Sequence, residues 1–543
     1  MIDLKPVIFI VTTLICISAI SGKIKKIPYP ILLVFIGLLL GFSPGLPHIE
    51  LQPEMVFLLF LPPLLFRAAW NSSWKDFKRS IRPISRLAVG LVLFTTLSVA
   101  VIAHYFIPGM SWPVAFILGA IVSPPDAVSA TSIIKGVGLN KRIITILEGE
   151  SLVNDASALI AYRYALAAAV STGFVFWKAG LQFLLVVSGG VAIGFVLGYL
   201  LCIILKRIHN NSIVESSLLL LIPFVSYPIA ENFQVSGVLA VVTTGLVTSW
   251  KSSEVLSYQG RTQSNSIWEM IVFLLNGIIF ILIGLQLSEL MDTTEGYSTS
   301  SLIQYGLIIS LVTIVARFVF VIPAMWFPSL LETKLDKEQR KNFDWKNILV
   351  ISWSGMRGVL SLATAMALPL TLDDGTPMHQ RKVILFITFV VIVVTLVGQG
   401  LTLPLLIKVL KISSETDNVE EEKKLRLLIN SSALDFINDT FKNGKEDGDS
   451  INEVRKLYEL RIAWLTGRDF REERHSSQNG MEDLSFLEQV IHVQLMVTEF
   501  KRKILLKLYR EGSYASENIR KLEKEMDLDE SRLRSQLKNI IDN

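Results

Sequence analysis

Long apolar runs separated by short polar stretches fill the first three quarters of the chain. A helix needs about 20 apolar residues to cross the hydrocarbon core of a bilayer. Measured against that length, the sequence predicts about thirteen spans. Their limits lie near 6–21, 28–42, 54–70, 84–107, 113–134, 143–170, 179–206, 213–231, 235–250, 267–290, 301–327, 346–370 and 382–410. Beyond Lys411 the pattern changes. Leu425, Leu428 and Ile429 recur at helical spacing, as do Val490, Val493, Val497, Phe500, Ile504 and Leu508. Breaks are predicted at Asn443–Asp449 and Ser476–Gly480. Residues 1–411 therefore read as a membrane body and 412–543 as a helical tail.

Loop charges test the span count, because cytoplasmic loops hold the Lys and Arg residues. Lys23, Lys25 and Lys26 occupy the first loop, and Lys75, Lys78, Arg79, Arg82 and Arg86 the third. Lys135, Lys141 and Arg142 occupy the fifth. Between them lie loops without basic residues, such as Ser43–Pro53 with Glu50. The alternation runs to Lys334, Lys337, Arg340, Lys341 and Lys346, with Arg381 and Lys382 as one exception beside Asp373 and Asp374. A miscounted span would invert it from that point on. The N-terminus is placed outside, the tail in the cytoplasm, and the whole in the cell membrane.

Composition narrows the class further. Only 18% of the residues are charged, and about half of those follow Lys411. The net charge of +4, with no basic stretch interleaved with aromatics, argues against a nucleic-acid partner. Membrane lipid is the expected surroundings. Cys16 and Cys202, both inside apolar runs, read as small buried apolar residues and form neither a disulfide framework nor a metal cluster. Met1–Ile10 lacks the features of a cleaved signal peptide and reads as the start of a retained span. Asn71-Ser72-Ser73 matches the glycosylation sequon but falls on the cytoplasmic side, where it is a chance match.

Ionisable groups at bilayer depth are costly and mark ion or substrate paths. In the fifth span, Ser123-Pro124-Pro125-Asp126-Ala127 cannot continue a helix, since two prolines remove two donors. Freed carbonyls and facing half-helix ends can hold a cation. The sixth span opens Glu148-Gly149-Glu150-Ser151-Leu152-Val153-Asn154-Asp155. Glu150 and Asn154 share one helix face, and Ser151 and Asp155 the adjacent one. These are hard oxygen ligands suited to alkali ions, with nothing soft for a transition metal. Glu148 lies nearer the cytoplasmic end, where an interfacial role and a site role are both open. In the twelfth span, Gly355 and Gly358 flank Met356 and Arg357, a permanent cation that needs a partner. The fifth and twelfth spans correspond if spans 1–6 and 8–13 are inverted repeats. Interrupted helices in matching positions of two halves point to a transport site. The fold class is thus an all-α polytopic membrane protein with broken helices crossing near the midplane.

These three motifs together resemble the monovalent cation/proton antiporters, in the electroneutral sodium/proton branch of NhaP and NHE type. The resemblance covers the whole body in order. It implies that Asp155 binds cation and proton in competition, with Ser151, Glu150 and the main-chain carbonyl of Pro125 helping to hold the ion. Asp155 and Ser151 would be the side chains on the transported alkali cation. Asn154, Asp126 and Ser123 would support the site, and Arg357 would pair with Glu150. Many members carry Thr-Asp-Pro where this chain has Pro125-Asp126-Ala127, so the carbonyl survives and a threonine hydroxyl is lost. The resemblance also implies a homodimer, no cofactor beyond the transported Na+ and H+, and alternating access. With Asn154 in place of a second acid, it suggests one-for-one, electroneutral exchange.

Rival readings are a potassium-selective antiporter, a cation channel, a transporter of organic solutes and an intramembrane enzyme. A channel would be expected to have a constriction ring. No aromatic pocket accompanies the motifs, and no nucleophile–base arrangement or metal-ligating histidine accompanies Asp126 and Asp155. His48, His104 and His379 fall near helix ends or loops. Arg163 and Arg317 are expected to pair locally, without a transport role. The tail lacks a GxGxxG after a strand, which argues against a dinucleotide-binding domain. It reads equally as a regulatory or self-associating element of unknown ligand and as a solvated extension.

Overall fold

The computed structural model describes residues 4–21, 29–42, 56–126, 141–170, 176–208, 211–292, 298–331, 345–369, 378, 380–411, 415–441, 448–466 and 484–542. Residues 127–140 after Asp126, the tail breaks at 443–447 and 476–480, His48, His379 and loop charges such as Lys23, Lys135 and Lys334 lie outside them. Among the described residues the protein is all helical, with no strand.

Helices fall within all thirteen apolar intervals. They begin with α1 (Leu4–Ser21), α2 (Tyr29–Gly41) and α3 (Leu61–Asn71), the last preceded by a π-helical turn, Val56–Phe60. Short helices α4 (Trp74–Arg79) and α5 (Ile81–Ser85) lead through a second π-helical turn into α6 (Val92–Phe106). Then come α7 (Trp112–Val122), α8 (Lys141–Val170), α9 (Phe176–Arg207), α10 (Ser212–Asn232), α11 (Gly237–Val255), α12 (Tyr258–Asp292) and α13 (Thr299–Leu331). A broken pair follows, α14 (Trp345–Trp353) and α15 (Val359–Met366), before α16 (Gln380–Leu410). Among the described residues, six stretches, from Ile81–Phe106 to Gln380–Leu410, are long and apolar enough to cross a bilayer. The 30-residue α8, about 45 Å long, falls outside that set because it carries the acids of the sixth span.

Two compact units emerge. The first comprises 1–204, 218–251 and 267–413; the second comprises 205–217, 252–266 and 414–543. The second unit is thus larger than the tail alone. Polar helix ends join it: Arg261 is gripped by Asp527 through two hydrogen bonds of 2.9 and 2.5 Å, and Glu254 pairs with Arg510.

In the first unit, small residues let backbones meet, as expected where lipid supplies no hydrophobic drive. A Cβ on Gly37 would lie 2.2 Å from the Ile281 carbonyl oxygen, and one on Gly284 equally close to that of Val34. Helices α2 and α12 therefore cross in backbone contact. Cys202 is buried, whereas Cys16 lies exposed on the outer side of α1, contrary to expectation. Within the sequon, Ser73 caps α4 by accepting from the Asp76 amide, which gives the serine a structural job.

The second unit contains a bundle of α17 (Glu415–Thr440), α18 (Gly448–Thr466), α19 (Leu484–Glu511) and α20 (Ser516–Asp542). Two apolar clusters hold it. Leu425, Ile429, Leu505 and Leu522 belong to one; Ala433, Val454, Val493 and Val497 belong to the other. Leu428 turns outward instead, because Leu425 and Ile429 already fill the buried face of α17.

Candidate ion-binding site

Helix α7 ends at Val122 because Pro124 and Pro125 offer no amide hydrogens to the carbonyls of Ala120 and Ile121. The amide of Asp126, the next donor in line, goes elsewhere and bonds the Met356 carbonyl at 2.7 Å. The helix end is satisfied in other ways, as buried carbonyls require. The Ser123 hydroxyl donates to the Ala120 carbonyl at 3.0 Å, and Arg357 Nε donates to that of Val122 at 2.8 Å. The second interruption, Ser354–Gly358 between α14 and α15, lies against the first.

Glycine is required at this crossing for space. A Cβ on Gly358 would sit 2.3 Å from the Asp126 carboxylate, and one on Gly355 2.4 Å from Arg317 Cδ. Arg357 spends its guanidinium on main-chain oxygens, those of Val122 and Gly355, with a longer contact to Ser123 at 3.5 Å. Its amide is held by the Thr395 hydroxyl of α16 at 3.1 Å.

Helix α8 brings its acids to this crossing. Asn154, fully buried, donates to the Pro125 carbonyl at 2.8 Å. That carbonyl, expected as a cation ligand, is therefore aimed by Asn154 and retains a second lone pair. The side-chain amide oxygen of Asn154 accepts no hydrogen bond among the described residues. Asp155, Ser151 and Asp126 are half-buried, and Asp126 is near enough to Asp155 for their charges to interact. All eight residues singled out in the sequence therefore lie on α8 or in the two interruptions. What differs is the pairing of Glu150.

Glu150 does not pair with Arg357. Its two oxygens accept from Arg317 Nη1 and Nη2 at 2.6 and 2.9 Å, both residues being only 1% exposed. Arg317 Nε donates to the Ile351 carbonyl, tying α13 to α14. With one hydrogen bond from Arg317 on each oxygen, Glu150 ties α8 to α13. Arg317 is the residue that sequence reasoning passed over. The available signal was a permanent cation in an apolar span, which demands a buried acid somewhere. Arg163 does pair locally, with Glu231 at 2.6 Å on a more exposed face.

Residues 10–409 match the family described as "Sodium/hydrogen exchanger, transmembrane". The "Sodium, potassium, lithium and rubidium/H(+) antiporter" of Bacillus pumilus is 34% identical over 433 residues. That match covers 77% of this chain and 64% of the relative, so the chain spans less than two thirds of that protein. "Na(+)/H(+) antiporter ApNhaP" of Aphanothece halophytica is 32% identical over 423 residues, covering 78% of this chain and 76% of its own. The solved structure of the sodium proton antiporter MjNhaP1 from Methanocaldococcus jannaschii aligns with a TM-score of 0.58 at 19% identity. It covers 75% of this chain and 99% of that one, which establishes a shared fold.

Proposed function

Because the chain belongs to the sodium/hydrogen exchanger family, we propose that it exchanges an alkali cation for a proton across the cell membrane, with Asp155 binding either one in turn. The observation that carries this reading is a charge count. Three acids, Asp126, Glu150 and Asp155, meet two bases, Arg317 and Arg357, at the crossing of the interrupted helices. One negative charge is left over. A buried surplus charge is unfavourable, so it recruits a single monovalent partner. A proton and a metal ion of one charge satisfy it equally, which supports one-for-one, electroneutral exchange.

The oxygen set fits a hard cation: the Asp155 carboxylate, the Ser151 hydroxyl, the second lone pair of the Pro125 carbonyl and the unengaged oxygen of Asn154. Asn154 and Arg357 act as positioning groups that hold the break open. The relative from Bacillus pumilus carries four alkali cations in its name, which favours broad selectivity over a strictly sodium-specific site. The same reading includes a homodimer, an outer N-terminus and a cytoplasmic tail.

Proteoliposomes loaded with a pH-sensitive dye test the proposal across the alkali series. Cation-driven proton flux is expected from the intact protein and none from Asp155→Asn. Undiminished flux in that variant, or a membrane potential that follows transport, would overturn competition at Asp155 or electroneutrality respectively.

A further inference from the structure

The bundle of the second unit carries a half-open cavity of about 770 Å³, within the range of small-molecule sites. Its position reflects an irregularity in α19. The buried face of that helix runs Val490, Val493, Val497, Lys501, Leu505, Leu508, so a lysine occupies a core position between the two apolar clusters. Lys501 is only 6% exposed and lines the cavity. A buried ammonium normally finds a carboxylate. Lys501 has none within ion-pair distance among the described residues; its ammonium rests 5.4 Å from the centre of the Tyr458 ring. Arg461, also on the cavity wall, shares that ring at 5.3 Å and likewise has no carboxylate partner there.

The acids of the cavity wall are engaged elsewhere. Glu525 receives two hydrogen bonds from Arg426, at 2.7 and 2.6 Å, and Glu422 is bound by Arg426 and Lys521. Asp529 has Arg532 at 3.9 Å. Two cations thus face one cavity without a direct ion pair among the described residues, Asp529 and Glu525 acting on Lys501 only from beyond that distance, while Leu457, Leu460 and Met526 give it an apolar wall and Trp464 an aromatic one.

We propose that this cavity binds a small organic anion, a carboxylate or phosphate on an apolar or aromatic body, with Lys501 and Arg461 holding the acid group. Burial, followed by the neighbouring Arg461, pushes the Lys501 ammonium down to about 8. A bound anion restores its preference for the proton. The groups around it are Glu422 and Arg426 on α17, Tyr458 and Arg461 on α18, and Glu525 and Asp529 on α20. Burial holds the Tyr458 hydroxyl up at about 12, so it stays neutral. The site is distinct from the ion crossing, and its existence does not depend on the exchange reaction.

Calorimetry on the full chain in lipid nanodiscs tests this with 2-naphthoate as probe and 2-naphthalenemethanol as its uncharged counterpart. The acid is expected to bind and the alcohol not to. Lys501→Met should weaken the acid at least about tenfold, as loss of a charged hydrogen bond does, while Lys501→Arg retains it. Affinity should fall as the pH rises through about 8. Since Lys501→Met removes a buried, unpaired charge, that variant is expected to fold. Equal binding of acid and alcohol, equal binding by Lys501→Met, or no heat from the acid at millimolar concentration would each overturn the site. The last result would mean that the Tyr458 ring alone satisfies the two cations.

Discussion

Two arginine–carboxylate pairs, one in each unit, share the same forked geometry and differ in their surroundings. Arg317 and Glu150 meet at 2.6 Å with both side chains 1% exposed. Arg426 and Glu525 also meet at 2.6 Å, yet are 27% and 42% exposed. Water can take over either partner of the second pair when the other is removed. Nothing can do so for the first. The lesson is that pair geometry predicts little until burial is known, and that a buried pair is strong mainly in what its breakage costs.

The largest effect expected from this contrast is at the buried pair. Glu150→Gln or Arg317→Met alone should cost about 3–5 kcal/mol by leaving an unpaired buried charge. Yield of folded, monodisperse protein in detergent checks this. The double variant should recover much of the yield of either single one, and additive loss would count against the pairing.

Intermediate in size is Lys501, a buried cation with no pair. Its folded-state value of about 8 lies below the ordinary 10.5, so between those pH values the unfolded chain holds more protons. Stability of the bundle should therefore rise with pH across that window. The penalty is present in full below pH 8 and absent above 10.5. Lys501→Met should stabilise α19 by up to about 3 kcal/mol at neutral pH and by almost nothing at the alkaline end. Amide hydrogen exchange of α19 in the full chain measures both.

The smallest effect belongs to the half-exposed pair. Arg426→Met should change bundle stability by about 0–1 kcal/mol, and added salt should shrink the difference further. A loss as large as that at Glu150 would show that exposure is the wrong discriminator.

Both interruptions were legible in the sequence, because consecutive prolines and paired glycines have local consequences that no tertiary context can cancel. The acids of α8 were legible for a similar reason: 3.6-residue periodicity puts Glu150 beside Asn154 and Ser151 beside Asp155. The partner of Glu150 was not. Arg317 is 167 residues away, and which of two buried arginines it meets depends on how α13 packs on α14. The extent of the second unit was equally hidden. Residues 205–217 and 252–266 carry no tail-like signature, and it is contacts such as the grip of Asp527 on Arg261 and of Arg534 on the Tyr258 ring that join the start of α12 to that unit. Lys501 shows the opposite failing. Its break in an apolar stripe was visible, but an alternative stripe through Phe500 and Ile504 fitted the same period.

The stitching between the two broken helices constrains how the protein can move. Asp126 gives its amide to Met356, Arg357 gives its guanidinium to Val122, and Asn154 pins Pro125, all away from water. Opening any of these would strand buried polar groups, so the pieces are coupled like parts of one casting. In the proposed exchange, a motion that turns the acids from one side of the membrane to the other would carry α7, α8 and α14 together with α13, which Arg317 ties to Glu150 and Ile351, and with α16, whose Thr395 holds the Arg357 amide. Any sliding surface would then lie beyond the helices joined by these ties.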